Sequence, residues 1–287
     1  EISTRDWSSD VCSSDLEFKR QLGDAMIAAP SYSTIKSIND VAAIIANARP
    51  SVVINAAGYT GKPNVDACED HREECFHGNV VFPVWLAQVC ADHKIPFGHV
   101  SSGCIYNGYD KVYTEQDAPD FSFVQQNCSY YSGTKAECER ELKSFENAWV
   151  WRLRIPFDHH NNPRNYLTKM LNYNKILNLP NSVSHRAEYV AACIATIKQR
   201  TTPGIYNVTN PGSITASRLF ELMLHHRPEL ESVIAGKSYF ASVEEFMKHA
   251  RAPRSNCVLD ASKLAATGIT MTPVEDIIVD CIKKYEL

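Results

Sequence analysis

The chain lacks a long hydrophobic run, a cluster of basic residues and any closely spaced pair of cysteines. Its longest apolar stretch, Val80 to Cys90, is too short and too interrupted to span a bilayer. A net charge of −4 without a basic run argues against nucleic acid as a partner. The ten cysteines form no C-x-x-C pair and no cysteine–histidine cluster, so we expect no metal site and mostly buried, reduced thiols. With no signal peptide recognisable at the start, these features predict a cytoplasmic protein without a membrane partner.

The start of the chain is unlike the rest. Ser8-Ser9-Asp10 recurs as Ser13-Ser14-Asp15, and the surrounding residues follow neither a strand nor a helix period. We interpret residues 1–16 as a non-native leader that resembles translated sequencing-adapter sequence, with a disordered native tail as the alternative. The fold prediction therefore begins at residue 17.

Strands and helices alternate regularly from residue 17 onward. The pattern predicts, in order, a helix end at 17–22, a strand at 25–29, a helix capped by Asn39-Asp40 and running to 48, a strand at 51–54, a helical region at 65–92, a strand at 97–100, a helix at 129–144, a strand at 149–154, a helix opened by residues 162–165, and a strand at 205–208. Such alternation predicts an α/β fold with a doubly wound parallel sheet, Rossmann-like in type. We expect a dinucleotide-binding domain over 17–155 and a smaller C-terminal substrate lobe over 156–287, interleaved with the sheet around 182–210.

Small or polar residues follow the predicted strands where ligands of such sheets bind. Asn55-Ala56-Ala57-Gly58, Ser102 and Pro156 all fall near the carboxyl ends of strands. Residues without bulky side chains let a cofactor approach the backbone. We therefore assign Asn55, Ala56, Ala57, Gly58 and Pro156 to cofactor binding, against the alternative of simple strand-to-loop turns.

Tyr131 and Lys135 lie four residues apart on a predicted helix, so they share one helix face. A lysine cation there favours ionisation of the phenol, which can then exchange a proton with a substrate oxygen while a nicotinamide moves a hydride. Tyr32 and Lys36 have the same spacing, but no serine-bearing strand precedes them. Ser102 does precede Tyr131, at the end of a strand, so we assign Ser102, Tyr131 and Lys135 to catalysis.

These motifs resemble the extended short-chain dehydrogenase/reductases, and within them the dTDP-4-dehydrorhamnose reductase group. The chain is most similar to the bifunctional nucleotide-sugar 3,5-epimerase/4-reductases of the rhamnose synthase type. The resemblance extends from about residue 51 to 264 and rests on six segments: N-A-A-G-Y-T-G-K-P-N-V-D at 55–66, S-S-G-C-I-Y at 101–106, Y-S-G-T-K at 131–135, N-P-R-N-Y-L-T-K at 162–169, I-Y-N-V-T-N-P-G at 205–212 and A-P-R-S-N at 252–256.

The resemblance implies a role for each matching residue. Tyr131 is the implied acid, Lys135 its modulator and a cofactor ligand, and Ser102 the carbonyl partner. For 3,5-epimerisation it implies Cys104 and Lys169, a pair that can remove and return protons beside a 4-keto group. The residues implied to face the nucleotide sugar are Asn162, Arg164, Asn165 and Arg254. A homodimer is compatible with the resemblance.

The implied function is NADPH-dependent reduction of a nucleotide-linked 4-keto-6-deoxyhexose, of dTDP- or UDP-4-dehydrorhamnose type, with 3,5-epimerisation. NADPH is favoured over NADH because no acidic residue follows the predicted second strand at Ser31-Tyr32-Ser33. The family's G-x-x-G-x-x-G turn is absent, so we expect the chain as written to bind a dinucleotide poorly. The alternatives are a nucleotide-sugar 4-epimerase or dehydratase, and a non-catalytic NADP-binding regulatory subunit. Gly103 and Cys104 stand where a dehydratase usually has an acidic pair.

Overall fold

A computed structural model describes residues 13–62 and 64–286, and its centre is a parallel β-sheet. The strands of the described residues are β1 (Val53–Asn55), β2 (Phe97–Ser102), β3 (Ala148–Leu153), β4 (Pro156–Phe157), β5 (Lys175–Ile176), β6 (Ser184–His185), β7 (Gly204–Asn207) and β8 (Ser238–Tyr239). Four of them form the main sheet, in the order β1-β2-β3-β7 and all parallel. The others form two small parallel pairs, β4 with β6 and β5 with β8.

Twelve α-helices connect and cover these strands in the part of the chain that is described. They are α1 (Ser13–Leu22), α2 (Ile38–Ala48), α3 (Arg72–Phe76), α4 (Phe82–Asp92), α5 (Tyr130–Leu142), α6 (Tyr166–Asn172), α7 (Arg186–Lys198), α8 (Ala216–His226), α9 (Glu231–Ile234), α10 (Val243–His249), α11 (Ser262–Ala265) and α12 (Val274–Lys284). A π-helical segment, His77–Val81, joins α3 to α4. None of these helices combines the length and the apolar character that crossing a bilayer requires.

The main sheet is covered on both faces, as a parallel sheet requires. On one face, apolar side chains of α2, α4 and α5 pack against Phe97 and Val150. On the other face, α1 and α7 pack against Val100, Trp149 and Trp151. A separate apolar cluster joins α6, α8 and α12 in the C-terminal half. The predicted α/β architecture is confirmed.

Several predicted elements are correct in type and differ by one to three residues at their ends, but two predictions are wrong. Residues 26–31 form no strand, and Ile27 is 71% exposed. The alanines of this segment bury little apolar surface, and no strand of the described residues pairs with its backbone. The cap of α2 is Ser37 rather than Asn39-Asp40, because the Ser37 side chain and Asp40 form a reciprocal capping box. Helix α1 begins at Ser13, before the predicted boundary at residue 17, whereas residues 1–12 lie outside the described residues.

A buried ion pair joins α5 to the sheet. Glu139 on α5 and Arg152 on β3 are each 1% exposed, and their carboxylate oxygen and guanidinium nitrogen are 2.8 Å apart. Ser101 of β2 donates a hydrogen bond to Glu139 at 2.6 Å, and Arg152 donates to the Asn207 side chain of β7 at 3.3 Å. Burial lowers the pKa of Arg152, but the neighbouring Glu139 carboxylate raises it above its ordinary value. Arg152 therefore keeps its proton, and the pair connects one helix to three strands.

We expect Glu139→Ala to lower the free energy of unfolding by about 3–5 kcal/mol, because it leaves the Arg152 charge buried without its partner. Urea unfolding followed by circular dichroism measures this difference. Glu137→Ala on the same helix is the matched control, since Glu137 pairs with Arg140 at the surface and its loss should change stability little. Similar losses in the two variants would contradict the structural role of the buried pair.

Candidate active site

Lys135 lies where α5 meets the sheet. Its side chain is buried, at 5% exposure, and its ammonium is 3.5 Å from the Val100 carbonyl oxygen of β2. The same nitrogen is 6.0 Å from the centre of the Tyr131 ring, one helical turn earlier. Ser129 caps this helix by accepting a hydrogen bond from the Ser132 backbone at 3.2 Å. The cap fixes where the helix begins, so Tyr131 lies in its first turn.

The loop that follows β1 adjoins Lys135. A Cβ placed on Gly58 would lie 3.6 Å from the Lys135 ammonium and 2.9 Å from the Asn79 side-chain oxygen. Ala56, Ala57 and Gly58 are half-buried. The loop predicted to line a dinucleotide therefore lies next to the lysine predicted to bind it. Because Gly58 has no side chain, the space beside the Lys135 ammonium is not filled.

Two buried amides hold this loop. Asn55 accepts a hydrogen bond from the Ala57 backbone at 3.1 Å, and its nitrogen is 3.1 Å from Nδ1 of His99. Burial lowers the pKa of His99 well below its ordinary value, so the neutral ring can accept that bond. Asn79, in the π-helical segment, accepts from the Tyr59 backbone at 2.9 Å and donates to its carbonyl at 3.0 Å. The buried Asn55 side chain therefore holds the backbone of this loop by a hydrogen bond.

Ser102 ends β2, next to Leu153 of β3. It is buried, and its hydroxyl oxygen accepts a hydrogen bond from the Cys104 backbone at 3.1 Å. This bond bends the chain immediately after the strand, so Ser102 and Cys104 both belong to the turn at the carboxyl end of β2. Pro156 begins β4, beyond the end of β3 and outside the main sheet; its role as a cofactor residue stays a prediction.

Arg154 is a residue of this region that sequence reasoning missed. It follows β3 directly, is 2% exposed, and donates a hydrogen bond to the half-buried Cys104 sulfur at 2.9 Å. The sequence did carry an indication. Arg152 and Arg154 alternate within an otherwise apolar run, and charged residues in a strand buried on both faces require a specific partner.

Lys169 lies on α6, in the C-terminal half of the chain. It is half-buried on α6, and its pKa is lowered, chiefly by burial and further by the positive charges of Arg164 and Arg254, although Cys104 opposes the shift. Lys169 is therefore electrostatically coupled to the two predicted substrate arginines and to Cys104. A lysine with a lowered pKa gives up its proton more readily near neutral pH, which suits acid–base chemistry.

The two predicted substrate arginines belong to the C-terminal half of the chain, and both contact the segment after β1. Arg164 donates to the Thr60 hydroxyl at 2.9 Å and to the Gly61 carbonyl at 3.0 Å. Arg254 pairs with Asp66 at 2.6 Å. One buried guanidinium nitrogen of Arg254 and one buried carboxylate oxygen of Asp66 have no hydrogen-bond partner. Arg254 therefore retains hydrogen-bonding capacity beyond its pair with Asp66.

Asn162 and Asn165 organise the loop before α6. The Asn162 side chain accepts from the Arg164 backbone at 2.8 Å. Asn165 is fully buried and caps α6, and its nitrogen donates to the carbonyls of Asp158 and His160 at 2.8 and 2.7 Å. These internal bonds hold the Asn165 amide within its own loop, and its role in facing the nucleotide sugar stays a prediction. Within the described residues, no group of His, Cys, Asp and Glu could hold a metal ion.

Residues 17–287 match the family model of the RmlD substrate binding domain. The chain is 37% identical over 228 residues to a trifunctional UDP-glucose 4,6-dehydratase/UDP-4-keto-6-deoxy-D-glucose 3,5-epimerase/UDP-4-keto-L-rhamnose-reductase of Arabidopsis thaliana, covering 77% of this chain and 32% of that protein. It is 37% identical over 233 residues to the bifunctional dTDP-4-dehydrorhamnose 3,5-epimerase/dTDP-4-dehydrorhamnose reductase of the same plant, covering 78% and 73%. The chain thus spans about a third of the trifunctional relative and nearly three quarters of the bifunctional one.

Solved structures share the fold. The L780 UDP-rhamnose synthase of Acanthamoeba polyphaga mimivirus superposes with a TM-score of 0.84 at 25% identity, covering 94% of each chain. A dTDP-4-dehydrorhamnose reductase of Bacillus anthracis, solved with NADP, superposes with a TM-score of 0.70 at 15% identity, covering 95% of this chain and 93% of that one. The second likeness concerns the fold alone.

Gly58→Ala should lower the free energy of unfolding by about 1–3 kcal/mol, because the new methyl group forces the Asn79 amide away from Tyr59. Chemical denaturation measures the change. Gly236→Ala is the matched control, since a Cβ at Gly236 meets no atom within 4 Å. Equal stability of Gly58→Ala and the parent chain would show that the loop adapts and that Gly58 is not a steric requirement.

Proposed function

Because the chain belongs to the RmlD substrate binding domain family, we propose that it acts on a nucleotide-linked 4-keto-6-deoxyhexose of the dTDP- or UDP-4-dehydrorhamnose type. It reduces the 4-keto group with NADPH and also epimerises C3 and C5. The observation that carries the proposal is that two groups of predicted residues are joined, since Arg164 donates hydrogen bonds to Thr60 and Gly61, just after Gly58. Lys135 adjoins Gly58 and Tyr131 on one side, whereas Lys169 is coupled to Cys104 and two arginines on the other.

The residues after β1 fit a dinucleotide, since Gly58 leaves space beside the Lys135 ammonium that a side chain would fill. A bound nicotinamide would supply the hydride for C4 of the sugar. Tyr131 donates its phenolic proton to the oxygen of C4, and Ser102 holds that oxygen by a hydrogen bond. The Lys135 charge stabilises the phenolate that remains. NADPH is the favoured cofactor and NADH the alternative.

Epimerisation uses the acidity of the protons beside the 4-keto group. Cys104 removes a proton from C3 or C5, and Lys169 returns one to the opposite face of the same carbon. Their positions support this assignment, because Cys104 lies at the end of β2 whereas Lys169 approaches from α6 in the other lobe. Two groups on different elements can face opposite sides of a sugar ring.

Arg164 and Arg254 suit the diphosphate of the substrate. Guanidinium groups bind phosphate oxygens through paired hydrogen bonds, and these two arginines are close enough to Lys169 to lower its pKa. Asn162 supports this site indirectly by fixing the Arg164 backbone. A cytoplasmic location and a homodimer are part of the same proposal, and the free thiols of the described cysteines suit a reducing compartment.

Tyr131→Phe should reduce the rate of 4-keto reduction by about 10²–10⁴-fold while leaving NADPH affinity nearly unchanged, because it removes only the proton donor. The consumption of NADPH with each 4-keto sugar nucleotide measures the rate, and calorimetry measures the affinity. Tyr130→Phe is the matched control, since it keeps the ring that packs against Arg72. A Tyr131→Phe enzyme that reduces substrate at the parent rate would refute the assignment.

Cys104→Ala and Lys169→Ala should each abolish uptake of solvent deuterium at C3 or C5, while a pre-epimerised 4-keto substrate is still reduced. NMR of the sugar recovered from deuterated buffer measures the uptake. Cys128→Ala is the control, because Cys128 is also a half-buried free cysteine but no site residue. If deuterium uptake persists in both site variants, Cys104 and Lys169 are structural residues.

A further inference from the structure

Arg154 is a buried cation without a carboxylate partner among the described residues. Its guanidinium donates to the Cys104 sulfur at 2.9 Å, to the Asn181 side chain at 2.6 Å and to the Ser255 carbonyl at 2.8 Å, while Nε has no partner. The other arginines buried near the sheet differ, since Arg152 pairs with Glu139 and Arg186 with Asp158. Amide and carbonyl oxygens satisfy hydrogen bonds but leave the positive charge of Arg154 uncompensated.

An uncompensated buried charge is costly, so something must balance it. Burial lowers the pKa of Arg154, but the neighbouring sulfurs of Cys257 and Cys104 raise it, and the net shift is upward. Arg154 therefore keeps its proton. The neighbouring groups that can carry the opposite charge are these two sulfurs and the Tyr109 phenol, and burial raises the pKa of that phenol to about 12, so it stays neutral.

The surroundings distinguish the two sulfurs. Cys257 is fully buried, its sulfur donates to the Gly103 carbonyl at 3.6 Å, and burial raises its pKa, so it remains a thiol. Cys104 is half-buried and thus partly accessible, and its sulfur accepts the hydrogen bond from Arg154. The Cys104 sulfur is thus the one placed to carry the charge and to reach a substrate.

We propose that Arg154 is a positioning residue whose guanidinium holds the Cys104 sulfur as a thiolate directed at the cleft, ready to act as the base of epimerisation. This inference rests on the proposed function. The sulfur forms an S–H bond with the proton of C3 or C5, and the electrons of the broken C–H bond pass into the enolate whose oxygen is on C4. The Lys169 ammonium then donates its proton to the other face of that carbon. The Cys104 thiol returns its proton through solvent, and Lys169 regains one in the same way.

The first test uses the unaltered chain and iodoacetamide, with alkylation of each cysteine peptide followed by mass spectrometry near neutral pH. Cys128 is the internal standard, because it is also half-buried and burial raises its pKa to about 11. We expect Cys104 to react about tenfold faster than free N-acetylcysteine in the same buffer, and faster still than Cys128, since a neighbouring cation stabilises the reactive thiolate. A Cys104 rate equal to or below that of Cys128 would overturn the inference without any variant being made.

The second test compares Arg154→Gln with Arg154→Lys. The glutamine removes the charge, so the alkylation rate of Cys104 should fall about tenfold and deuterium uptake at C3 or C5 about 10²-fold. The lysine retains the charge and should recover a large part of both, whereas the Cys128 rate should stay unchanged in each. A purely structural Arg154 would give equal losses in both variants, and unchanged Cys104 reactivity in Arg154→Gln would equally contradict the inference.

The two readouts separate this inference from the proposed function. Alkylation needs no sugar nucleotide and therefore tests only the pairing of Arg154 with Cys104. If Cys104 reacts rapidly but neither UDP- nor dTDP-4-keto-6-deoxyglucose takes up deuterium, the epimerase assignment fails and the pairing stands. If deuterium enters the sugar but Cys104 shows no enhanced reactivity, the epimerase assignment stands and the pairing is wrong.

Discussion

The ion pair between Glu139 and Arg152 determines where the candidate catalytic helix lies. Tyr131, Lys135 and Glu139 are spaced by four residues on α5, so they form one stripe along the helix. The third member of that stripe is bound to β3 inside the protein, where neither charge can be hydrated. Rotation or sliding of α5 would separate the two charges at considerable cost in free energy. The first two members are therefore held at the carboxyl ends of β2 and β3, next to the loop that contains Gly58.

The parallel sheet and most of its helices could be predicted from the sequence. Buried strands appear as apolar runs and half-buried helices as helical periods, so both signals are local in the sequence. It failed at Ala25–Ala29, where small apolar residues resemble a strand but no neighbouring backbone completes the hydrogen bonds. It also failed at the cap of α2, since Ser37 precedes the two residues that look more polar. In each case the outcome depends on whether a specific hydrogen-bond partner is present, and residue composition does not show this.

In the candidate site, too, local features could be predicted from the sequence and contacts between distant residues could not. The Tyr131–Lys135 stripe and the turn at Ser102 could be anticipated, because both depend on local geometry that spacing encodes. Arg154 could not be assigned a role from sequence, since its contacts with Cys104 and Ser255 join residues 50 and 101 positions away. The internal bonds of Asn165 could not be predicted either, because a short polar motif does not reveal that its amide is used within its own loop.

The contacts of Arg164 and Arg254 have a consequence for the energetics of substrate binding. Both guanidinium groups already make hydrogen bonds with the segment after β1, at Thr60, Gly61 and Asp66. A diphosphate that takes over these bonds replaces the internal partners, so the free energy of binding is then the difference between two sets of contacts. Asp66 would then be left beside an incoming anion of the same sign. The two arginines would therefore favour a ligand that binds both of them at once. A ligand with a single charge would gain little binding free energy from either.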